Sequence, residues 1–186
     1  MPTYHDFTPP IPERTKYISA GPVTFGVEPR VLTQGMLAAY PDNSRFVGLP
    51  SIRALMADLE EREDVVVDSG VSIHVFTGAD DELIEHLRFD CYHRRPHYHY
   101  YRPGVWQRKL SIRPEEAPAQ HYIDIVADGE PVAWALERLN ERLSQMLAHA
   151  GVPEMAGAID QAAVGHALSQ VANAAHRAQD ASPRPG

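Results

Sequence analysis

Cysteine is nearly missing from this chain of 186 residues, which has Cys91 alone. A lone thiol closes no intramolecular disulfide and cannot build a zinc ribbon, which takes cysteine pairs at set spacing, so any metal must be held mainly by histidine and carboxylate. Long apolar runs are missing too. None approaches the ~18 residues that a membrane-crossing helix needs, and no membrane partner is expected. Positive charge is scarce, with 17 Lys and Arg against 25 Asp and Glu and a formal net charge of −8. That balance opposes a polyphosphate backbone, and no long basic run offsets it, so nucleic acid is not an expected partner either. The phosphate-cradling and nucleophile-elbow signatures G-x-x-x-x-G-K-[ST], G-x-G-x-x-G and G-x-S-x-G do not occur, nor does any internal repeat. The opening MPTYHDFTPPIPERTKY lacks the basic-then-apolar order of a signal peptide, and a cytoplasmic address is expected.

What the chain does have is histidine and tyrosine in one place. Between His86 and Tyr101 lie four of its ten histidines and four of its eight tyrosines, together with Arg88, Asp90 and Cys91. The segments VSIHVFT and LIEHLRFDCY alternate with period two and are rich in β-branched and aromatic residues. GADDE between them is a turn signal, so they predict a β-hairpin, and a second reversal at His93–Pro96 returns the chain as HYHYY. Pairing Thr77 with Leu83 sets His74 opposite His86 and Ser72 opposite Arg88. Pairing Tyr92 with His97 sets Asp90 opposite His99 and Arg88 opposite Tyr101. Strand phase then collects Ser72, His74, Phe76, Ile84, His86, Arg88, Asp90, Tyr92, His97, His99 and Tyr101 on one face. Val71, Ile73, Val75, Leu87, Phe89, Cys91, Tyr98 and Tyr100 fall on the other, with Glu85 as the one charged exception on that apolar side.

The remaining pattern predicts an α+β domain, an antiparallel meander of about four or five strands covered on one face by amphipathic helices. Residues 1–17, with four prolines, read as an extended arm, 18–178 as one domain and 179–186 as a disordered tail. VTFGV at 23–27 reads as a short strand ending before Pro29, and 31–40 as a short helix. A helix is expected over 51–62 from Ile52, Leu55, Met56 and Leu59, further strands in VWQRKLSI and HYIDIVA, and a long helix after Asp128-Gly129-Glu130-Pro131. A last alanine-rich helix is read over 154–177. The arm and this alanine stripe cover themselves poorly, which makes a homodimer the expected state.

Three readings of the histidine face follow. The foremost is a metal site: His97 and His99, two apart on a strand, ligate one divalent ion with Asp90, the two-histidine, one-carboxylate set that suits non-haem iron and that zinc or manganese also accepts. In that reading Arg88 anchors a small anionic substrate, and His74 or His86 adds a ligand or a general base. The second is metal-free acid–base catalysis by a lyase, isomerase or hydrolase, with Asp90 orienting His99, Tyr101 or Tyr92 donating a proton and Arg88 holding the substrate. The third is a non-catalytic module that binds a ligand or a second subunit. Cys91, on the apolar side, is expected to be an inert core thiol.

Overall fold

The run of alternating residues from Val66 onward extends further than any single motif within it. In the computed structural model, which describes residues 10–33, 65–78, 82–101 and 121–184, it is one continuous strand of a six-stranded antiparallel sheet. Strands β1 (Lys16–Ala20), β2 (Val23–Thr33), β3 (Val66–Thr77), β4 (Ile84–Tyr92), β5 (His97–Tyr100) and β6 (His121–Tyr122) pair in sequence order, a pure meander. Three helices follow, α1 (Pro131–His149), α2 (Pro153–Gly157) and α3 (Gln161–Ala181). The α+β class is as expected, and the sheet is somewhat larger. Among the described residues no helix is long and apolar enough to cross a membrane.

One face of the sheet and the helices share the core. Phe25 and Val27 of β2, Val71, Ile73 and Val75 of β3, and Leu87, Phe89 and Cys91 of β4 pack with Leu139, Leu143 and Leu147 of α1 and with Val164, Leu168 and Val171 of α3. Each wholly buried Phe or Leu among them contributes about 1.5–3 kcal/mol relative to exposure. Cys91 is fully buried there, and burial pushes its thiol well above the ordinary range, the inert core cysteine expected of its phase.

Local signals set the helix ends. Glu130 caps α1, its carboxylate accepting from Val132 N at 3.1 Å and Ala133 N at 2.8 Å. Gly151, at φ 95°, reverses the chain after it, with Val152 N donating to Leu147 O at 3.1 Å. The expected single helix over 154–177 is two. Asp160 stands in an extended conformation and caps Ala162 N and Ala163 N, which stops α2 and starts α3 afresh. Its alanine stripe is spent within the chain, since Ala167, Ala174 and Ala175 are buried in the core cluster.

Several boundaries differ from expectation. Strand β1 begins at Lys16, inside the segment read as an arm. Strand β2 runs through Pro29 to Thr33, so 31–33 are strand and not the start of a helix. Pro29 pairs with Val71 in the register, and its fixed φ is compatible with an extended chain even though it gives up a donor. Only His121 and Tyr122 of HYIDIVA are strand; Asp124 then closes a turn by accepting from Val126 N and Ala127 N. The tail is ordered as far as the sheet: α3 reaches Ala181, Ser182 is buried with its hydroxyl on Gly70 O at 2.9 Å, and Ser69 Oγ donates to Pro183 O. The helix expected over 51–62, the remainder of 31–40 and the strand expected in VWQRKLSI lie outside the described residues.

Where the C-terminus docks, β3 has a glycine that no other residue replaces easily. A Cβ at Gly70 would collide with the Cys91 carbonyl oxygen and stand 2.8 Å from Tyr92 Cα, both backbone atoms of β4. Gly70→Ala should therefore destabilise the protein by about 1–3 kcal/mol through overpacking. In guanidinium denaturation this appears as a lower midpoint at unchanged slope; an unshifted midpoint would refute the account.

Candidate metal centre

Two-residue alternation puts His97 and His99 on the same side of β5, and antiparallel pairing brings Asp90 of β4 beneath them. The observed register pairs Asp90 with His97 and Arg88 with His99, two residues away from the expected pairing of Asp90 with His99. An even shift leaves every side chain on its expected face. Asp90, His97 and His99 accordingly form a cluster of potential ligands whose donor atoms all lie within 4.8 Å of one another, each residue buried. Asp90 Oδ2 is 3.5 Å from His97 Nε2 and 3.6 Å from His99 Nε2. Those separations are long for hydrogen bonds but close to ~3.4 Å, the edge of a tetrahedron of donors about 2.1 Å from a central ion.

The groups behind these atoms already orient them. His97 Nδ1 is 2.7 Å from the Arg95 carbonyl oxygen, an acceptor only, so Nδ1 donates to it and Nε2 is the ring nitrogen turned toward Asp90. Ser72 Oγ donates to Asp90 Oδ1, which leaves Oδ2 as the oxygen facing both imidazoles. Burial works to raise the Asp90 carboxyl, but the His99 contact and the neighbouring His97 and Arg88 outweigh it and hold the group well below the usual range. Burial lowers His99 to about 4, against the pull of Asp90, so at neutral pH this imidazole is an unprotonated donor. Tyr101 completes the surroundings, its ring 5.8 Å from that of His99 and its phenol kept protonated chiefly by burial.

Beside this cluster runs a chain of buried charges. Arg88 makes a fork on Glu85, Nε to Oε1 at 2.9 Å and Nη2 to Oε2 at 2.8 Å. His74 Nδ1 reaches the same Glu85 Oε1 at 2.6 Å, and its Nε2 stands 3.6 Å from Glu28 Oε2, which Arg30 Nη2 meets at 3.3 Å. The order Arg30–Glu28–His74–Glu85–Arg88 crosses β2, β3 and β4.

Four expectations need correction here. The face is not an open cleft, for His74, Arg88, Asp90, His97 and His99 are all buried. Glu85 is on the histidine side and His86 is not. The β3–β4 register pairs Val75 with Leu87 and Phe76 with Glu85, so His86 falls in a bulge between them and the two side chains exchange roles. His86 Nε2 instead meets the Thr77 hydroxyl at 2.7 Å, in the phase of Val75, and is brought neither to the metal cluster nor opposite His74. His74 lies between Glu85 and Glu28 and is not among the grouped ligands. Arg88 spends its fork on Glu85, which leaves it poorly placed to anchor a substrate. Sequence reasoning missed Glu28 and Arg30, whose alternation across Pro29 was the available signal, and Ser72 and the Arg95 carbonyl as orienting groups.

The fold is thus an antiparallel meander with a buried two-histidine, one-aspartate cluster on the face turned away from the helices. A family model described as "Domain of unknown function (DUF7700)" matches residues 17–175, and the chain belongs to that family. No curated protein and no solved structure matches it.

The charge chain makes stability acid-sensitive in a defined window. Burial opposes ionisation of Glu85, but Arg88 and His74 prevail and bring it from 4.5 to about 2. A carboxyl depressed by folding contributes fully above its ordinary value, and that contribution is lost as the pH falls from 4.5 toward about 2. Glu85→Gln should cost about 3–5 kcal/mol at neutral pH, since it leaves Arg88 buried without its counter-charge. It should also flatten the acid limb of stability measured by denaturant titration across that window. An acid limb identical in the variant and the parent would show that Glu85 is not the group responsible.

Proposed function

We propose that Asp90, His97 and His99 bind one divalent metal ion, and that this ion activates a small anionic substrate. The observation that carries the reading is the convergence of Asp90 Oδ2 and two histidine Nε2 atoms at 3.5 and 3.6 Å, with Ser72 and the Arg95 carbonyl already selecting Asp90 Oδ2 and His97 Nε2. Three protein donors leave coordination positions open for substrate, the pattern associated with non-haem iron and accessible to zinc or manganese.

Charge supports an anionic substrate. Glu28, Glu85 and Asp90 are each held ionised, against two guanidiniums, Arg30 and Arg88. A divalent ion would add two positive charges to this enclosed face, which a bound anion helps to balance. The metal takes over the anchoring role first assigned to Arg88, whose charge acts from one residue pair away. Tyr101, next to His99 and protonated, is the proton donor. His97 is the most exposed of the three ligands at 7%, and its ring lies 6.1 Å from that of the half-exposed Tyr122, so small molecules enter from that edge.

Elemental analysis of protein purified without a histidine tag tests this directly. Near-stoichiometric metal is expected, abolished in both His97→Ala and His99→Ala, while Ser72→Ala lowers metal affinity about 10–100-fold by freeing the carboxylate. Full turnover of an identified substrate by exhaustively chelated protein would instead favour acid–base catalysis by Asp90, His99 and Tyr101. Absence of both metal and turnover, with ligand or partner binding lost in the folded variants, would favour the non-catalytic module.

A further inference from the structure

Strand β5 has two faces, and the one opposite the histidines borders a groove. Tyr98 and Tyr100 alternate with His97 and His99 and so point to the helical side, where they meet α1. On α1, Trp134, Arg138, Arg142 and Gln145 follow at steps of four, four and three and share one side of the helix, next to its buried stripe. With Met146 these six line a groove of about 390 Å³, toward the small end of the range for small-molecule sites.

The walls of the groove are aromatic, and the polar groups differ in how they are engaged. The Tyr98 ring is 5.5 Å from that of Trp134 and 5.7 Å from that of Tyr100. Arg138 lies over Trp134 at 5.4 Å, and its charge is met by Glu137 at 3.3 Å and Glu141 at 3.6 Å. Arg142, one turn further, is exposed and has no carboxylate partner among the described residues, and the Gln145 amide beside it has no hydrogen bond there. Burial raises both phenols, Tyr100 to about 12, so neither presents a negative charge to an incoming anion.

We propose that this groove binds a small aromatic carboxylate, its ring against Trp134, Tyr98 and Tyr100 and its acid group on the Arg142 guanidinium. A single uncommitted fork matches one planar carboxylate in a bidentate fashion. Among the described residues of the groove, a more highly charged phosphate would meet Arg142 as the one free cation, with Glu137 and Glu141 close by. The site is independent of the metal reading, because β5 stands between the groove and the His97–His99 side.

The probe is 2-naphthoate, with 2-naphthalenemethanol as its uncharged counterpart, titrated into the full chain and followed by calorimetry and by amide and indole NMR shifts. Saturable one-site binding is expected, with shifts at the Trp134 indole and at the Tyr98 and Tyr100 amides, and with the alcohol about tenfold weaker. Arg142→Gln, on an exposed side chain, should weaken the carboxylate about tenfold and leave the alcohol unchanged. Trp134→Phe should weaken both ligands, and His97→Ala should weaken neither. No saturation at millimolar probe, shifts confined to other parts of the chain, or equal carboxylate affinity in Arg142→Gln would overturn the proposal.

Discussion

A guanidinium enclosed in a protein persists only if its charge is met at close range, and the fork between Arg88 and Glu85 meets that condition for the polar face of this sheet. The fork depends on the bulge between Val75 and Phe76. Without it Glu85 would keep the phase of Leu87 and Phe89 and point into the apolar core, a buried charge without a partner on one side and Arg88 without a partner on the other. With it, Glu85 joins the ionised face and His86 crosses to the Thr77 hydroxyl. From Glu85 the pairing continues through His74 to Glu28 and Arg30, so one irregularity in one hairpin ties three strands together by charge.

The same network shapes the metal cluster without belonging to it. Arg88 is among the charges that hold Asp90 ionised, which keeps a carboxylate buried and unprotonated where a metal would need it. Ser72, on the neighbouring strand, turns that carboxylate by occupying one oxygen. A buried acid left to itself would be protonated, and a buried histidine pair left to itself would be free to rotate. Here Asp90 is held ionised by its neighbours and turned by Ser72, and His97 is turned by the Arg95 carbonyl in the segment before β5.

Period two made most of this legible. The expected hairpin registers were off by two residues through most of β3, β4 and β5, yet the faces survived, because an even error changes which residues pair and not which way they point. A one-residue irregularity has the opposite effect, and this is why Glu85 and His86 were misplaced while Ser72, His74, Arg88 and Asp90 were not. No local pattern marks that bulge. It meets the demand of Arg88 for a counter-charge from Glu85, three residues back on the same strand, which strict alternation would put on the opposite face. Pro29 hid the second half of β2 in the same way, since its residue type argues against strand while its position in the register tolerates it, and Glu28 and Arg30 were lost with it. The break between α2 and α3 was readable from Asp160, an N-cap type before an alanine run, but helical periodicity on either side masked it.

Two scales of sequence separation run through the molecule. The proposed ligands span only Asp90 to His99, one hairpin whose geometry follows from alternation and a short turn, and so their grouping depends on no distant tertiary contact. The chain of charges that stabilises their surroundings reaches from Glu28 to Arg88 and exists only once β2 lies on β3. Local alternation therefore decides what the site contains, and the meander decides whether it can be buried. Strand β5 shows the limit of the first rule. Its four residues, His-Tyr-His-Tyr, place two imidazoles on one face and two phenols on the other with equal clarity, but the uses of the two faces differ because Asp90 waits on one side and an α1 face with an uncommitted arginine on the other.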